Sequence, residues 1–294
     1  MGKPSIETLY EQVRAVVPVG AGADPPATLT PVAPRIRVLA LRTPTLPPAA
    51  HTNLYLVGPD AGPVAVVDPG SPYPDQQAIL DALLAQLPIS RILLTHHHGD
   101  HIGGAAALAA RRGVPIAAHP ATARRLDGIV EVTELIEDGD EIAGAIAVHT
   151  PGHAEGHLVF EVDDASIAGD MVAGVGTILI DPGEGDMGVY LASLERMRAR
   201  RPTLLLPAHG PPIRDGHGKL TEYLSHRRMR EQLVRAALAT GATHDLDALV
   251  ATVYADTPRS LWPLAERSLL AHLEKLARED LARRVDDGGR RWSA

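Results

Sequence analysis

The chain has 294 residues, a formal net charge of −8, 45% apolar residues and no cysteine. That apolar content supports a sizeable core and excludes wholesale disorder, and no run approaches the roughly 18 to 20 apolar residues of a membrane span. Without cysteine there is neither a disulfide nor a thiolate metal site, so any metal must sit on His, Asp or Glu.

In chain order, residues 1–34 are expected to form an N-terminal arm. It comprises a short helix over residues 6–17 and a linker through Pro18, Pro25, Pro26, Pro31 and Pro34, because proline at that density breaks helix and sheet alike. Met1 to Tyr10 lacks the apolar stretch of a secretory signal, and a cytoplasmic location is expected. From Arg35, short apolar runs rich in β-branched residues predict strands at 36–41, 53–57, 64–67 and 92–95, with helices over 76–86 and 104–112. Further strands are expected at 116–118, 147–149, 158–162, 166–168 and 204–207. Strands first, then strands mixed with helices, suit packed sheets with helices outside. Beyond Gly210 the pattern is helical, over 220–240, 246–255 and 260–278, the last with Leu264, Leu269, Leu270, Leu273 and Leu276 near helical spacing. Two short strands around Asp287-Gly288 predict a closing hairpin. Three helices and a hairpin outline a winged-helix module over residues 217–294, after a catalytic domain over 35–216.

The chemistry concentrates in Thr95-His96-His97-His98-Gly99-Asp100-His101, directly behind the apolar run 92–94. A strand ending in a polar loop is a rigid edge from which side chains can converge. His-x-His-x-Asp-His offers four candidate ligands whose imidazole and carboxylate donors suit zinc, and also iron or manganese. Three more segments repeat the arrangement, each behind an apolar strand: Thr150-Pro151-Gly152-His153, Ile167-Ala168-Gly169-Asp170 and Leu206-Pro207-Ala208-His209.

This ordered set resembles the metallo-β-lactamase superfamily over about residues 35–216. The resemblance implies an α/β (α+β) fold, an αβ/βα sandwich with its site at one edge of the sheets. It implies that His96, His98 and His153 hold one metal, that Asp100, His101 and His209 hold a second, and that Asp170 bridges them, with two Zn²⁺ per chain. True β-lactamases carry cysteine at the Asp170 position, so β-lactam hydrolysis is not the expected main activity. Two cations roughly 3.5–4 Å apart can share and acidify one water, and a metal can stabilise the oxyanion of the reacting group. Asp100 is the expected catalytic residue, orienting the hydroxide and shuttling a proton to the leaving group.

Outside the metal motif, His51-Thr52-Asn53, Asp68-Pro69-Gly70 and Tyr223-Leu224-Ser225-His226-Arg227-Arg228 are similar to the β-lactamase-like protein 2 family, which joins such a domain to a winged helix. That likeness implies metal-dependent cleavage of single-stranded RNA. Polyketide thioesterases share much of the pattern and glyoxalase II shares the metal motif, which implies instead an acyl hydrolase acting on a small-molecule ester, thioester or lactone. A non-catalytic winged-helix binding protein is the third reading, opposed by the complete ligand set. His226 is either a substrate contact or a bond between domains. Arg227, with Arg228, Arg230 and Arg235, either presents charge to the cleft or covers a helix face. Asp68 either orients a metal-binding imidazole or merely turns the chain; His97 is expected beside the site, and His157 as a ligand only if the motif slips. Residues 1–199 hold 12 Lys/Arg against 24 Asp/Glu, and residues 200–294 hold 16 against 12. The acidic catalytic part opposes polyanion binding, and one Phe, two Trp and six Tyr give little for bases to stack on. The third helix mixes Arg259, Arg267, Lys275 and Arg278 with Glu266, Glu274 and Glu279, a weak stripe for duplex DNA.

Overall fold

The computed structural model describes residues 11, 13–15, 27–286 and 288–294. Most of the helix expected over residues 6–17, prolines 18, 25 and 26, and Asp287 of the expected hairpin lie outside the described residues. Two sheets face each other. The first runs β1 (Thr30–Ala33), β2 (Ile36–Arg42), β3 (His51–Val57), β4 (Val64–Val67), β5 (Ile89–Leu93), β6 (Ile116–Ala118) and β7 (Glu134–Leu135) in spatial as in chain order. Pairing is antiparallel as far as β4 and parallel beyond it. The second holds β8 (Glu141–Ile142), β9 (Ala145–His149), β10 (Leu158–Val162), β11 (Ala165–Gly169) and β12 (Leu204–Pro207), ordered β12-β11-β10-β9-β8.

The period of two along each strand sorts side chains between layers. In β3, Tyr55 and Val57 enter the core between the sheets with Phe160 and Ile167 of the second sheet. Leu54 and Leu56 point the other way, against Leu80 and Leu84 of α1 (Pro74–Leu84) and Ile102 of α2 (Gly99–Ile102). Leu108 of α3 (Ala105–Arg112) joins the same outer layer, and α4 (Pro120–Arg125) follows it in sequence. On the far side, Val148, Val159 and Leu205 meet Tyr190, Leu194 and Met197 of α5 (Met187–Ala199) and Leu220 and Tyr223 of α6 (Gly216–Leu238). The result is the expected αβ/βα sandwich.

Three local differences from the sequence reading have physical causes. Thr30–Ala33, expected as linker, is an edge strand, a position where a proline such as Pro31 displaces no central ladder bond. β5 ends at Leu93 instead of continuing to Thr95, because the Thr95 amide donates to the Asp68 carboxylate rather than to a strand. α5 was not anticipated, since its polar and apolar positions do not segregate to opposite faces; Asp186 caps its start by accepting from the Gly188 and Val189 amides.

The C-terminal part adds β13 (His244–Asp245), α7 (Leu246–Val253), α8 (Trp262–Arg278), β14 (Arg283–Arg284) and β15 (Arg291–Ser293). β15 pairs with both β13 and β14. Leu249, Leu269, Leu273 and Trp292 form a separate core there. α6 belongs to both cores, contributing Leu220 and Leu224 to the sandwich and Val234 and Leu238 to the C-terminal one. No helix among the described residues is long and apolar enough to cross a membrane.

Candidate metal centre

Four strands deliver the chemistry to one edge. β5 leads into His96–His101, β9 into the turn ending at His153, β11 into Asp170 and β12 into His209. All seven side chains of the motif meet there. His96 Nε2, His98 Nδ1 and His153 Nε2 lie 2.9, 3.0 and 3.3 Å from one another. Two nitrogens bound to one tetrahedral zinc at roughly 2.0–2.1 Å would be about 3.4 Å apart, so this trio has the spacing of a shared ion. His209 Nε2 is 3.5 Å from Asp100 Oδ2, and His101 Nε2 is 3.9 Å from Asp100 Oδ1. Asp170 stands between the trios, with Oδ2 3.5 Å from His153 Nε2, and Oδ1 3.3 Å from His209 Nε2 and 3.5 Å from His101 Nε2.

The rings are fixed from behind. Asp68 Oδ2 lies 2.8 Å from His101 Nδ1 and also accepts from the Thr95 hydroxyl at 2.6 Å. The Asp68 backbone is left-handed, at φ 50°, a strained conformation for a residue with a side chain that these bonds hold in place. The turn then presses under α2: a Cβ on Gly70 would sit 1.8 Å from the Asp100 carbonyl oxygen, so only glycine fits. His153 Nδ1 donates to the Leu179 carbonyl and His209 Nδ1 to the His51 carbonyl, at 2.9 and 3.1 Å. Both rings thereby keep Nε2 as the free lone pair. The Asn53 amide donates to the Pro207 and Gly210 carbonyls, bracing the His209 turn.

Beside the three carboxylates the pocket favours positive charge, as the raised pKa values of His101 and His209 show. Burial depresses the His101 imidazole, but Asp170, Asp100 and Asp68 outweigh it and raise its pKa well above the ordinary histidine value. Burial pushes the Asp170 carboxyl up, yet His209 and His101 hold it well below the usual carboxylate range. His153, by contrast, is driven down to about 4, by burial first and then by His98. His101 Nε2 and Asp170 Oδ1 are buried with no hydrogen-bond partner, and such groups are costly unless something satisfies them. The donor set therefore fits divalent metal.

Other expected residues are placed as follows. His157 is no ligand: its Nδ1 meets Thr150 Oγ1 and its Nε2 accepts from the Asp170 amide at 3.1 Å, so it supports Asp170. His226 and Arg227 both line the cavity beside the centre. Arg227 Nη2 donates to Thr177 Oγ1 at 2.9 Å and to the Ile178 carbonyl. Sequence reasoning missed Glu184, whose Oε2 lies 2.9 Å from His98 Nε2 and 3.4 Å from His97 Nε2. His98 thus presents Nδ1 inward with its other nitrogen held. Glu184 stands 86 residues from His98, in Gly183-Glu184-Gly185, and no spacing pattern announces it.

Comparison with known proteins agrees with this geometry. A model of the metallo-beta-lactamase superfamily matches residues 47–209, and one of the beta-lactamase associated winged helix domain matches residues 246–292. The chain belongs to the metallo-β-lactamase superfamily of metal-dependent hydrolases and carries that winged-helix domain at its C-terminal end. It is 30% identical over 248 residues to a beta-lactamase-like protein 2 homolog of Drosophila melanogaster, covering 78% of this chain and 82% of that protein. It is 32% identical over 253 residues to the atrochrysone carboxyl ACP thioesterase dmxR1 of a Cryptosporiopsis species, covering 78% and 74%. Among solved structures, a beta-lactamase domain protein from Burkholderia ambifaria shares the fold with a TM-score of 0.79 at 23% identity, over 94% of this chain and 96% of that one.

Proposed function

We propose that the chain holds two divalent ions, zinc first among them with iron and manganese as alternatives, and hydrolyses a small thioester, ester or lactone bearing an apolar acyl group. His96, His98 and His153 would hold one ion, Asp100, His101 and His209 the other, and Asp170 would join both. When bound, such a pair supplies Lewis acidity, acidifying water and polarising the carbonyl oxygen.

The observation that carries the acyl reading is the cavity of about 660 Å³ that opens beside Asp100, Asp170 and His209. Much of its wall is apolar, including Leu46, Pro48, Ile178, Leu179, Leu261 and Leu264, as a site for an acyl group should be. Its three arginines are committed to the protein itself. Arg14 donates to the Pro44 and Thr45 carbonyls, Arg227 to Thr177 and Ile178, and Arg230 to the Val253 carbonyl and Asp256. A strand of phosphates would want those donors, so the single-stranded RNA reading has less support than the acyl one. The Arg-rich helix does not offset this, since Arg228 and Arg235 are not part of the cavity wall and Arg228 pairs with Glu195, while Arg227 and Arg230 are buried in such bonds. The likeness to a protein named as a thioesterase points the same way.

In this reading the apolar wall seats the acyl chain and excludes water around it. Asp100 orients the attacking water and passes its proton to the leaving group, and His226 contacts the substrate from the cavity wall.

Turnover of an acyl-CoA, a glutathione thioester, a lactone and a single-stranded RNA by zinc-loaded protein, side by side, tests the proposal. Acyl turnover that rises with chain length, disappears with a chelator and is lost in Asp100→Ala is the expected result. RNA cleavage abolished by Asp100→Ala, with all acyl substrates inert, would overturn it.

A further inference from the structure

Between β11 and α5 the chain crosses the mouth of the site in residues 170–186 with neither helix nor strand. An irregular segment this long inside a compact fold usually has a function. Here it supplies two of the groups that orient the histidine trio. The Leu179 carbonyl accepts from His153 Nδ1, and Glu184 Oε2 meets His98 Nε2, both at 2.9 Å.

The sandwich holds the start of the segment, with the Gly174 amide donating to the His209 carbonyl at 2.7 Å and the Ala173 amide to Tyr223 Oη at 2.8 Å, but Asp181 is held from outside it. Arg267 of α8 grips Asp181 with both prongs of its guanidinium, Nε to Oδ2 at 2.6 Å and Nη2 to Oδ1 at 2.9 Å. Both side chains are mostly buried, at 17% and 9% exposure, so neither can exchange this partner for water without cost. The same Asp181 builds the turn that carries Glu184. Its Oδ1 accepts from the Gly183 amide at 2.7 Å, and its carbonyl accepts from the Glu184 and Gly185 amides at 3.1 and 2.6 Å. Arg278 of α8 lies 2.8 Å from Asp186 at the end of the segment.

We infer that Arg267 is a positioning residue of the metal centre: through Asp181 and Glu184, the winged-helix domain fixes the ring of His98 and so tunes the histidine-rich metal position. This inference rests on the ligand assignment proposed above. It gives the C-terminal domain a role that needs no nucleic acid. The chain of contacts is Arg267 to Asp181, Asp181 to the Glu184 turn, and Glu184 to His98. Removing Arg267 leaves a buried carboxylate unpaired at the root of that turn, and the turn must rearrange to reach water.

The test is zinc affinity, read by competition with a chromophoric chelator, for the wild type, Arg267→Ala, Arg267→Lys and Glu184→Gln. Thermal unfolding of each metal-free protein runs alongside. Arg267→Ala and Glu184→Gln should each weaken one of the two ions by about 10- to 100-fold, the usual consequence of losing a group that orients a ligand, and leave the other unchanged. Arg267→Lys keeps charge without the two-pronged grip and should fall between; it also serves if the alanine variant folds poorly. The Arg267→Ala, Glu184→Gln double variant should lose no more than the stronger single one, because both act along one path. A lower unfolding temperature with both affinities unchanged overturns the inference, as do fully additive losses. If instead the wild type fails to bind two ions, or His98→Ala binds zinc as the wild type does, the ligand assignment has failed, which is a distinct result.

Discussion

At the scale of single residues, the centre depends on what stands behind each imidazole as much as on the imidazoles themselves. Asp68 touches His101 Nδ1 and takes both the amide and the hydroxyl of Thr95. Asp68→Ala should therefore lower affinity for the ion proposed beside Asp100 by about 10- to 100-fold and cost stability as well, both measurable in one zinc titration followed by unfolding. His157→Leu tests the supporting role of that ring: losing the acceptor for the buried Asp170 amide should destabilise the protein by about 1–3 kcal/mol without removing a ligand, so metal stoichiometry stays at the wild-type value. The legibility of these residues followed their distance in sequence. His96, His98, Asp100 and His101 sit within six positions behind one strand and were readable at once. His153, Asp170 and His209 needed the repetition of strand followed by ligand. Asp68 stood out as a turn with two readings, and its Oδ2 lies 2.8 Å from His101 Nδ1. Glu184 and Asp181 were invisible, because their roles arise from a turn folded against residues far away in sequence.

At the scale of elements, strands were legible where β-branched runs ended in turns, and β10 and β12 begin and end where expected. The misses share a cause: tertiary context overrode local preference in β1, recruited as an edge despite its proline, and in α5, whose buried Tyr190 and Leu194 are drawn in by the second sheet. α8 carries a prediction of its own. His272 lies fully buried on it, and burial lowers its pKa below the ordinary histidine value; the Glu231 carboxylate, 3.6 Å away, opposes this, while Arg227 and Lys275 reinforce it. A folded-state pKa below the unfolded one means the unfolded chain binds the proton more readily. Stability from this source is complete above about pH 6.5, the unfolded value, and is lost as pH falls from there toward the folded value. Urea unfolding of the metal-free protein at pH 7.5 and 5.5 should show that loss, and His272→Gln should reduce it. An identical pH dependence in the variant would show that other groups are responsible.

At the scale of the whole molecule, the class of enzyme was readable from four segments in order, whereas the cavity was not. Its walls come from the stretch around Pro44–Ala49, the segment at Val175–Leu179, α6 and the start of α8, and no one of these looks like a binding site by itself. Ions bound only by the folded chain must stabilise it: at zinc about 100-fold above its dissociation constant, each site should add about 2.7 kcal/mol. Calorimetry with and without chelator checks this, and an unchanged melting temperature would count against any folded-state metal site. The 23-residue α6, about 34 Å from end to end, has a further consequence. One continuous rod is rooted in both hydrophobic cores, so there is no joint at which the tail could swing aside. The molecule should melt in a single transition, and a substrate must enter past moving side chains and loops rather than through a gap opened between halves.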